Sequence, residues 1–307
     1  MNWKLKNNLF FILQNIPFGM EIYYVLQKYV TKSVWVSDNQ FPNYYKEKVA
    51  NHLKFIKEYG KCPIDKATIF EFGAGWDMLA PIGFALNGAK KYIAVDINRY
   101  AHPELVKNTI ELYKRNFKND NETESNVKLE RCLEGFVNST DKVKDLLREE
   151  FSIEYFAPMD AGNTNFESGS FDYVISNVSL EHIPYDDIER IFGECNRILK
   201  ADGLISATVD YSDHFAHSDP NISVFNYMQY SDSAWEKYNS YIHFQNRLRR
   251  SDYIELLTKS GFEIVTLSSV VSDGNELKHI KLDQRFAKYP LEELLITHDH
   301  FLARKKV

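Results

Sequence analysis

Cysteine is scarce in this chain, and the little there is does not pair. The 307 residues hold three, Cys62, Cys132 and Cys195, an odd number, widely spaced and without a C-x-x-C pair. Neither a disulfide framework nor a zinc site is supported, and a reducing cytoplasm is the expected location. Cys195 falls at helical spacing with Ile188, Ile191, Phe192, Ile198 and Leu199, which predicts a core thiol. Positive charge is short as well. A net charge of −6 leaves no basic face and argues against nucleic-acid binding. Long apolar runs are also missing. The N-terminal stretch NNLFFILQNIPFGMEIYYVLQKYV is interrupted by Gln14, Pro17, Glu21 and Gln27, well short of the roughly 20 apolar residues that a span requires. Asn15-Ile16-Pro17-Phe18 is no small-residue cleavage site, so a signal peptide is not expected either. The stretch reads as a helical cap over the core or substrate cleft; a membrane-surface or dimer helix is the alternative.

What is present points to a substantial core. The hydrophobic fraction is 44% and the aromatic fraction 14%. The length suits one large domain, or one domain with an elaborate insertion. Residues 1–65 predict a helical N-terminal extension, with Lys46 to Tyr59 as one helix. From Thr68 to Asp96 the chain reads strand, glycine turn, helix, strand: Ile69, Phe70 and Phe72 break at Gly73-Ala74-Gly75, Met78 to Leu86 is helical, and Tyr92 to Val95 ends on Asp96. Glycines after a first strand let the backbone approach a ligand closely. A carboxylate ending the second strand can take both hydroxyls of a ribose. Asp96 stands 21 positions beyond Gly75, near the roughly 20 that this arrangement expects.

Downstream, Pro103 to Phe117 predicts a helix, Asn119 to Asn126 a polar loop, Val127 to Cys132 a possible strand and Asp141 to Glu150 a helix. Further strands are expected at Ile153 to Phe156, Val174 to Ser176, Leu204 to Val209, Phe262 to Leu267 and Leu294 to Leu302. Helices Asp186 to Lys200 and Ser251 to Ser260 lie between them. Alternation of this kind predicts an α/β fold, a doubly wound and mostly parallel sheet covered on both faces. The last two strands, with no helix between, suggest an antiparallel edge pair.

A dinucleotide loop would carry a third glycine where Met78 stands. What remains, Glu71-x-Gly73-x-Gly75, resembles the first motif of the class I S-adenosylmethionine-dependent methyltransferases, with Trp76 where many members have a further glycine. A second block is more specific: Met159-Asp160-Ala161, Phe166, Gly169 to Asn177 and Leu180-Glu181-His182 resemble the third and fourth motifs of that family. The resemblance implies a seven-stranded sheet and residues 66–307 as the cofactor domain. It implies S-adenosylmethionine as methyl donor and S-adenosylhomocysteine as product. The cofactor residues it indicates are Glu71, Gly73, Ala74, Gly75, Asp96, Ile97, Asp160, Ala161 and Asn177, with Asp160-Ala161 at the adenine and Asn177 beside the ligand. Each has a plainer reading. Asp160 suits a turn, Glu181-His182 suits a helix cap, and Asp172 suits a solvent- or loop-facing structural role.

Residues 211–250 interrupt the pattern. Nine of these 40 residues are aromatic, well above the proportion in the whole chain, so a lid or mini-core is expected rather than a solvated linker. The segment resembles uncharacterised bacterial methyltransferases loosely associated with polysaccharide or secondary-metabolite assembly. It places Asp210, Asp213, His214 and His217 at the mouth of the sheet, and His243, Asn246, Arg247, Arg249 and Arg250 at its end. O-methylation of a small-molecule or sugar hydroxyl needs a base, and histidine suits it. His214 is the first candidate and His182 the second. Asp213 either orients His214 or, with Asp210, holds a divalent ion; carboxylates this near in sequence are ordinarily solvated, and no metal ligands are assigned. Arg247 and Arg249, with Tyr211, would bind an anionic acceptor, or else pair with Asp252 and Glu255. The competing reading is a protein that keeps the fold as a binding or interaction module without catalysis.

Overall fold

The computed structural model describes residues 2–31, 34–117 and 124–306. The expected polar loop at Asn119 to Asn126 lies mostly outside them. Helices α1 (Trp3–Leu13) and α2 (Gly19–Leu26) open the chain. Short α3 (Phe41–Tyr45) follows and runs through a π-turn into α4 (Asn51–Tyr59). The alternating part comprises β1 (Thr68–Phe72), α5 (Leu79–Leu86), β2 (Lys91–Val95), α6 (Pro103–Asn116), α7 (Glu124–Glu134), α8 (Thr140–Phe151) and β3 (Ile153–Phe156). It continues through β4 (Phe171–Asn177), α9 (Tyr185–Ile198), β5 (Leu199–Asp210), α10 (Asp232–Trp235), α11 (Arg250–Lys259), β6 (Phe262–Val271), α12 (Leu291–Leu294) and β7 (Ile296–Lys305).

The seven strands form one sheet in the order β3-β2-β1-β4-β5-β7-β6. The first five run parallel, while β7 is antiparallel to both β5 and β6. The expected edge pair is therefore real, with the last strand lying inside β6. The chain leaves β1 toward β2 and β3, then returns to lay β4 on the other side of β1. Strand order reverses there, and the loops leaving the carboxyl ends of β1 and β4 diverge into a cleft.

Period-two alternation divides the core between the two faces. Ile69, Tyr92, Ala94, Ile153, Tyr173 and Ile175 point into one cluster, roofed by α3 to α8. Phe70, Phe72, Ile93, Val95, Val174 and Ile205 point into the other, roofed by α9 and α11, with Cys195 at 0% exposure as the expected core thiol. A third cluster joins α1 to the 211–250 segment: Trp3 and Phe10 pack with Phe215, Phe225, Tyr227, Met228 and Trp235. The Trp3 ring lies 5.3 Å from Phe215 and 4.7 Å from Tyr238. The N-terminal helix and the lid thus share one core. Phe18, before α2, and Tyr29 and Val30, after it, are exposed. No helix among the described residues is long and apolar enough to cross a membrane.

Two expectations are corrected. Val127 to Cys132 is helical rather than extended, inside α7. Leu129 and Cys132, one helical turn apart, are both fully buried, and Lys128 pairs with Glu124 at i,i+4 (2.7 Å), so packing on one helix face outweighs the short Val127/Leu129 alternation. Asp172 faces the interior. Its carboxylate accepts from Lys200 Nζ (2.8 and 2.9 Å) and from the Thr68 amide (2.9 Å), tying β4 to the start of β1.

Candidate active site

A cavity of about 820 Å³ opens at the strand-order reversal, and all nine residues indicated for the cofactor line it. Its floor is the turn after β1. Gly73 (φ +71°) and Gly75 (φ +72°) both adopt the left-handed conformation that glycine tolerates. At Gly73 a Cβ would also lie 2.2 Å from Ser179 Oγ, whereas at Gly75 nothing stands within 4 Å. One glycine brings the β1 and β4 loops together; the other leaves room above it. Trp76 does not plug this turn. Its ring packs between Tyr24 (5.4 Å) and Tyr100 (4.8 Å), so the bulky residue anchors α2 to the segment after β2.

Asp96, 6% exposed at the end of β2, accepts the Gly75 amide at 3.0 Å through Oδ2 and the Asn98 amide at 3.3 Å through Oδ1. Burial raises its pKa to about 6 despite these bonds. Asp160 Oδ1 accepts the Gly162 amide (2.8 Å), so the turn chemistry is present, and Oδ2 pairs with Arg190 (2.6 Å). Burial opposes its charge, but Arg190 outweighs it and the pKa is lowered.

Glu71 is wholly enclosed and burial lifts its carboxyl to about 7. Its Oε1 accepts from Asn177 Nδ2 (3.1 Å), and the Tyr92 hydroxyl also interacts with the carboxylate. Behind Asn177 runs a buried polar chain that the sequence reading missed. Asn177 Oδ1 can only accept, so His52 Nε2 carries the proton in their 3.0 Å contact. His52 Nδ1 must then accept from Ser206 Oγ (2.7 Å), and Ser206 in turn accepts from His300 Nε2 (2.7 Å). Burial lowers the pKa of His52 to about 4, consistent with a neutral ring. The chain fixes Asn177, which presents its amide to Glu71. Its members come from α4, β4, β5 and β7, so no local pattern could have revealed it. Val178 beside it has φ +43°, a strained state for a β-branched residue, and lies at the cleft wall.

The other end of the cavity is walled by His182, His214, His217 and His243. His182 sits on a 3₁₀ turn (Leu180–His182) after β4, and its Nδ1 contacts the Phe244 carbonyl at 2.7 Å. The carbonyl can only accept, so Nδ1 carries the proton and the neutral ring leaves its Nε2 lone pair free. Desolvation by the surrounding cleft, together with His214, lowers its pKa to about 4, although the residue keeps an exposed edge. His214 Nε2 lies 3.6 Å from Asp210 Oδ2, an ion-pair distance too long for a hydrogen bond. Burial works against its charge, but Asp210 and Glu181 outweigh it and the pKa is raised. Asp210 also approaches His217 (3.6 Å) and His298 (3.3 Å).

Several expected site residues stand elsewhere. Asp210, and not Asp213, backs His214. Asp213 is fully buried in the lid, where its carboxylate accepts from Asn226 Nδ2 and the Phe215 amide, both at 2.8 Å. Arg249 is 0% exposed and donates to the carbonyls of Glu293 (2.8 Å), Leu294 (3.1 Å) and Ile296 (2.6 Å), stacked over the Tyr211 ring at 4.7 Å. Arg247 donates to the Tyr230 carbonyl and to Asp232, both at 2.6 Å, not to Asp252 or Glu255. Arg247, Arg249 and Tyr211 therefore build the lid's framework away from the cavity. A guanidinium surrounded by buried carbonyls saturates them as an anion would saturate it, and a run such as NRLRR looks alike in either setting.

The cavity suits an adenosyl ligand on two observations: the open space above Gly75 and the buried carboxylate of Asp96 at the end of β2. Residues 134–207 match the family described as a methyltransferase domain, a span from the end of α7 to β5 that includes the block around Asp160 to His182. No curated protein matches the sequence. Among solved structures, a SAM-dependent methyltransferase from Methanosarcina mazei aligns over 82% of this chain and 97% of its own, at 14% identity and TM-score 0.45. Phosphoethanolamine N-methyltransferase 2 from Haemonchus contortus, in complex with S-adenosyl-L-methionine, aligns over 84% of this chain and 53% of its own, at 17% identity and TM-score 0.43.

Proposed function

We propose that the chain is a class I S-adenosylmethionine-dependent methyltransferase that methylates a hydroxyl of a small-molecule or sugar acceptor bound against His182, His214 and His217. The observation that carries this reading is continuity: one cavity runs from the glycine turn and Asp96 to the histidine wall. The bound cofactor supplies an electrophilic methyl group on a sulfonium; everything else falls to side chains of this chain. Asp96 would take the ribose hydroxyls, Asp160 and Ala161 would face the adenine, and Glu71 with Asn177 would border the amino-acid end. Displacement at a methyl carbon is in line, so positioning and exclusion of water supply most of the rate. The lid, cored on Trp3, Phe215 and Trp235, would provide both by closing the acceptor end.

A hydroxyl acceptor must lose its proton as its oxygen attacks. His214, held against Asp210, would take that proton at its imidazole, and the neutral His182 would orient the hydroxyl. The free thiols, two of them buried, fit a reducing cytoplasmic setting. The non-catalytic alternative draws on Trp76 and on the segment from Asn119 to Glu150; the packing of Trp76 against Tyr24 and Tyr100 weakens the first of these motives.

The test is calorimetric titration with S-adenosylhomocysteine, then transfer of labelled methyl from S-adenosylmethionine to a panel of sugars, nucleotide sugars and phenols. Binding lost in Asp96→Ala, with label appearing in a hydroxylated acceptor, supports the reading. Binding without transfer to any acceptor class would return the interaction-module reading.

A further inference from the structure

Two segments far apart in sequence bring metal-ligating groups to one point. Glu181 and His182 come from the turn after β4 and His214 from the lid, and each offers one ligand atom within 4.8 Å of the others. Two independent features show unspent coordination capacity. Glu181, 2% exposed, buries Oε2 with no hydrogen-bond partner, and His214 buries Nε2 in the same condition. His182 commits Nδ1 to the Phe244 carbonyl, which orients its ring and leaves Nε2 as the free donor. Native interiors rarely leave a carboxylate oxygen and an imidazole nitrogen unsatisfied side by side.

We infer that Glu181, His182 and His214 hold a divalent first-row transition-metal ion, of the Zn²⁺ or Mn²⁺ kind, at the acceptor end of the cleft. Two imidazoles and one carboxylate favour such ions over Mg²⁺ or Ca²⁺, which prefer oxygen-only shells. Three protein ligands leave a coordination position open, the pattern of catalytic rather than structural sites. His182 and His214 line the cavity, so an ion held there would stand at the end where an acceptor hydroxyl would bind. Asp210 Oδ2 lies 3.6 Å from that same His214 nitrogen, Nε2, so its carboxylate adds negative charge beside the site. With the ion in place the donor nitrogens of His182 and His214 are occupied. With His214 a ligand in place of the base role given to it above, the acceptor's proton would fall to His217, which lines the same cavity and is half exposed.

The role in methyl transfer rests on the function proposed above; ion binding itself does not. The experiment uses full-length protein stripped with EDTA, titrated with ZnCl₂ and MnCl₂ by calorimetry and loaded with CoCl₂ for visible absorption. One equivalent of Zn²⁺ or Mn²⁺ is expected, with Co²⁺ ligand-field bands. Glu181→Gln and His182→Gln should weaken binding by roughly 10- to 100-fold or more. S-adenosylhomocysteine affinity, the check that each variant is folded, should change less than about twofold. Stripped wild-type protein that binds S-adenosylhomocysteine but no ion overturns the inference, as does equal ion affinity in both variants. Loss of S-adenosylhomocysteine binding by the wild type itself would instead overturn the cofactor reading, so the two failures are distinguishable.

Discussion

Arg249→Met tests whether the buried guanidinium serves the fold or the acceptor. The substitution keeps length and apolar stem but removes the donors to the carbonyls of Glu293, Leu294 and Ile296 and to the Tyr227 hydroxyl. Each buried carbonyl left without a partner costs about 1–3 kcal/mol. Three of them together with no relaxation would cost several times that. Partial rearrangement, and relief from burying a charge, bring the expected loss to about 3–5 kcal/mol, the range for breaking a buried ionic network. That is a large share of the roughly 5–15 kcal/mol holding a typical domain together. At about 2–4 °C per kcal/mol for domains of comparable size, the melting midpoint should fall by roughly 6 °C or more. Guanidinium and thermal unfolding, followed by circular dichroism, give the readout. A variant within about 1 kcal/mol of the parent, with cofactor affinity intact and a raised acceptor KM, would refute the structural assignment and restore Arg249 as a substrate clamp.

Further outcomes follow from the same geometry. Asp96→Asn should weaken S-adenosylhomocysteine binding by about 10- to 100-fold, the equivalent of a charge-assisted hydrogen bond, and calorimetry reads it directly. In the parent, protonation near pH 6 removes the charge of Asp96, so affinity should drop as pH falls through about 6. Its folded pKa lies above the ordinary value of 3.8, so burial of the charge opposes folding fully above about pH 6 and fades toward pH 4; a flat affinity profile between pH 5 and 7.5 would contradict this. Gly73→Ala should lose cofactor binding and stability together, because left-handed strain of about 1–2 kcal/mol adds to a contact with Ser179; Gly75→Ala carries the strain alone and should be the milder of the two in unfolding. His214→Ala should lower kcat by roughly 10²- to 10⁴-fold while S-adenosylhomocysteine affinity stays unchanged, and an undiminished kcat would remove it from the reaction. Val178→Gly should relieve strain at φ +43° and raise stability by about 1 kcal/mol, at some cost in activity as the cleft wall loosens.

The glycine-turn end of the cleft was legible in the sequence because its pieces are local. A strand, a glycine turn, and a carboxylate closing the next strand are set by contiguous residues, and Asp160-Ala161 and Asn177 each close a strand or begin a loop of their own. All of them line the cleft. Strand and helix order followed from periodicity for the same reason. The α7 segment escaped because its two buried residues are decided by what packs on them, not by alternation.

The acceptor end was only half legible. Composition marked 211–250 as a packed lid, and His182, His214 and His217 do reach the cavity. Which carboxylate backs His214, Asp210 or its neighbour three positions on, depends on how β5 turns into the lid, and the two are equivalent as sequence. Arg247 and Arg249 are charged residues in a basic run, and only the tertiary structure shows the carbonyls that enclose them. The chain from His300 through Ser206 and His52 to Asn177, and the meeting of Glu181 and His182 with His214, join residues 32 to 154 positions apart across several elements. Local preference fixes strands, turns and the loop that cradles a ligand. Long-range hydrogen bonds and buried charge are settled only when the sheet and the lid close on one another.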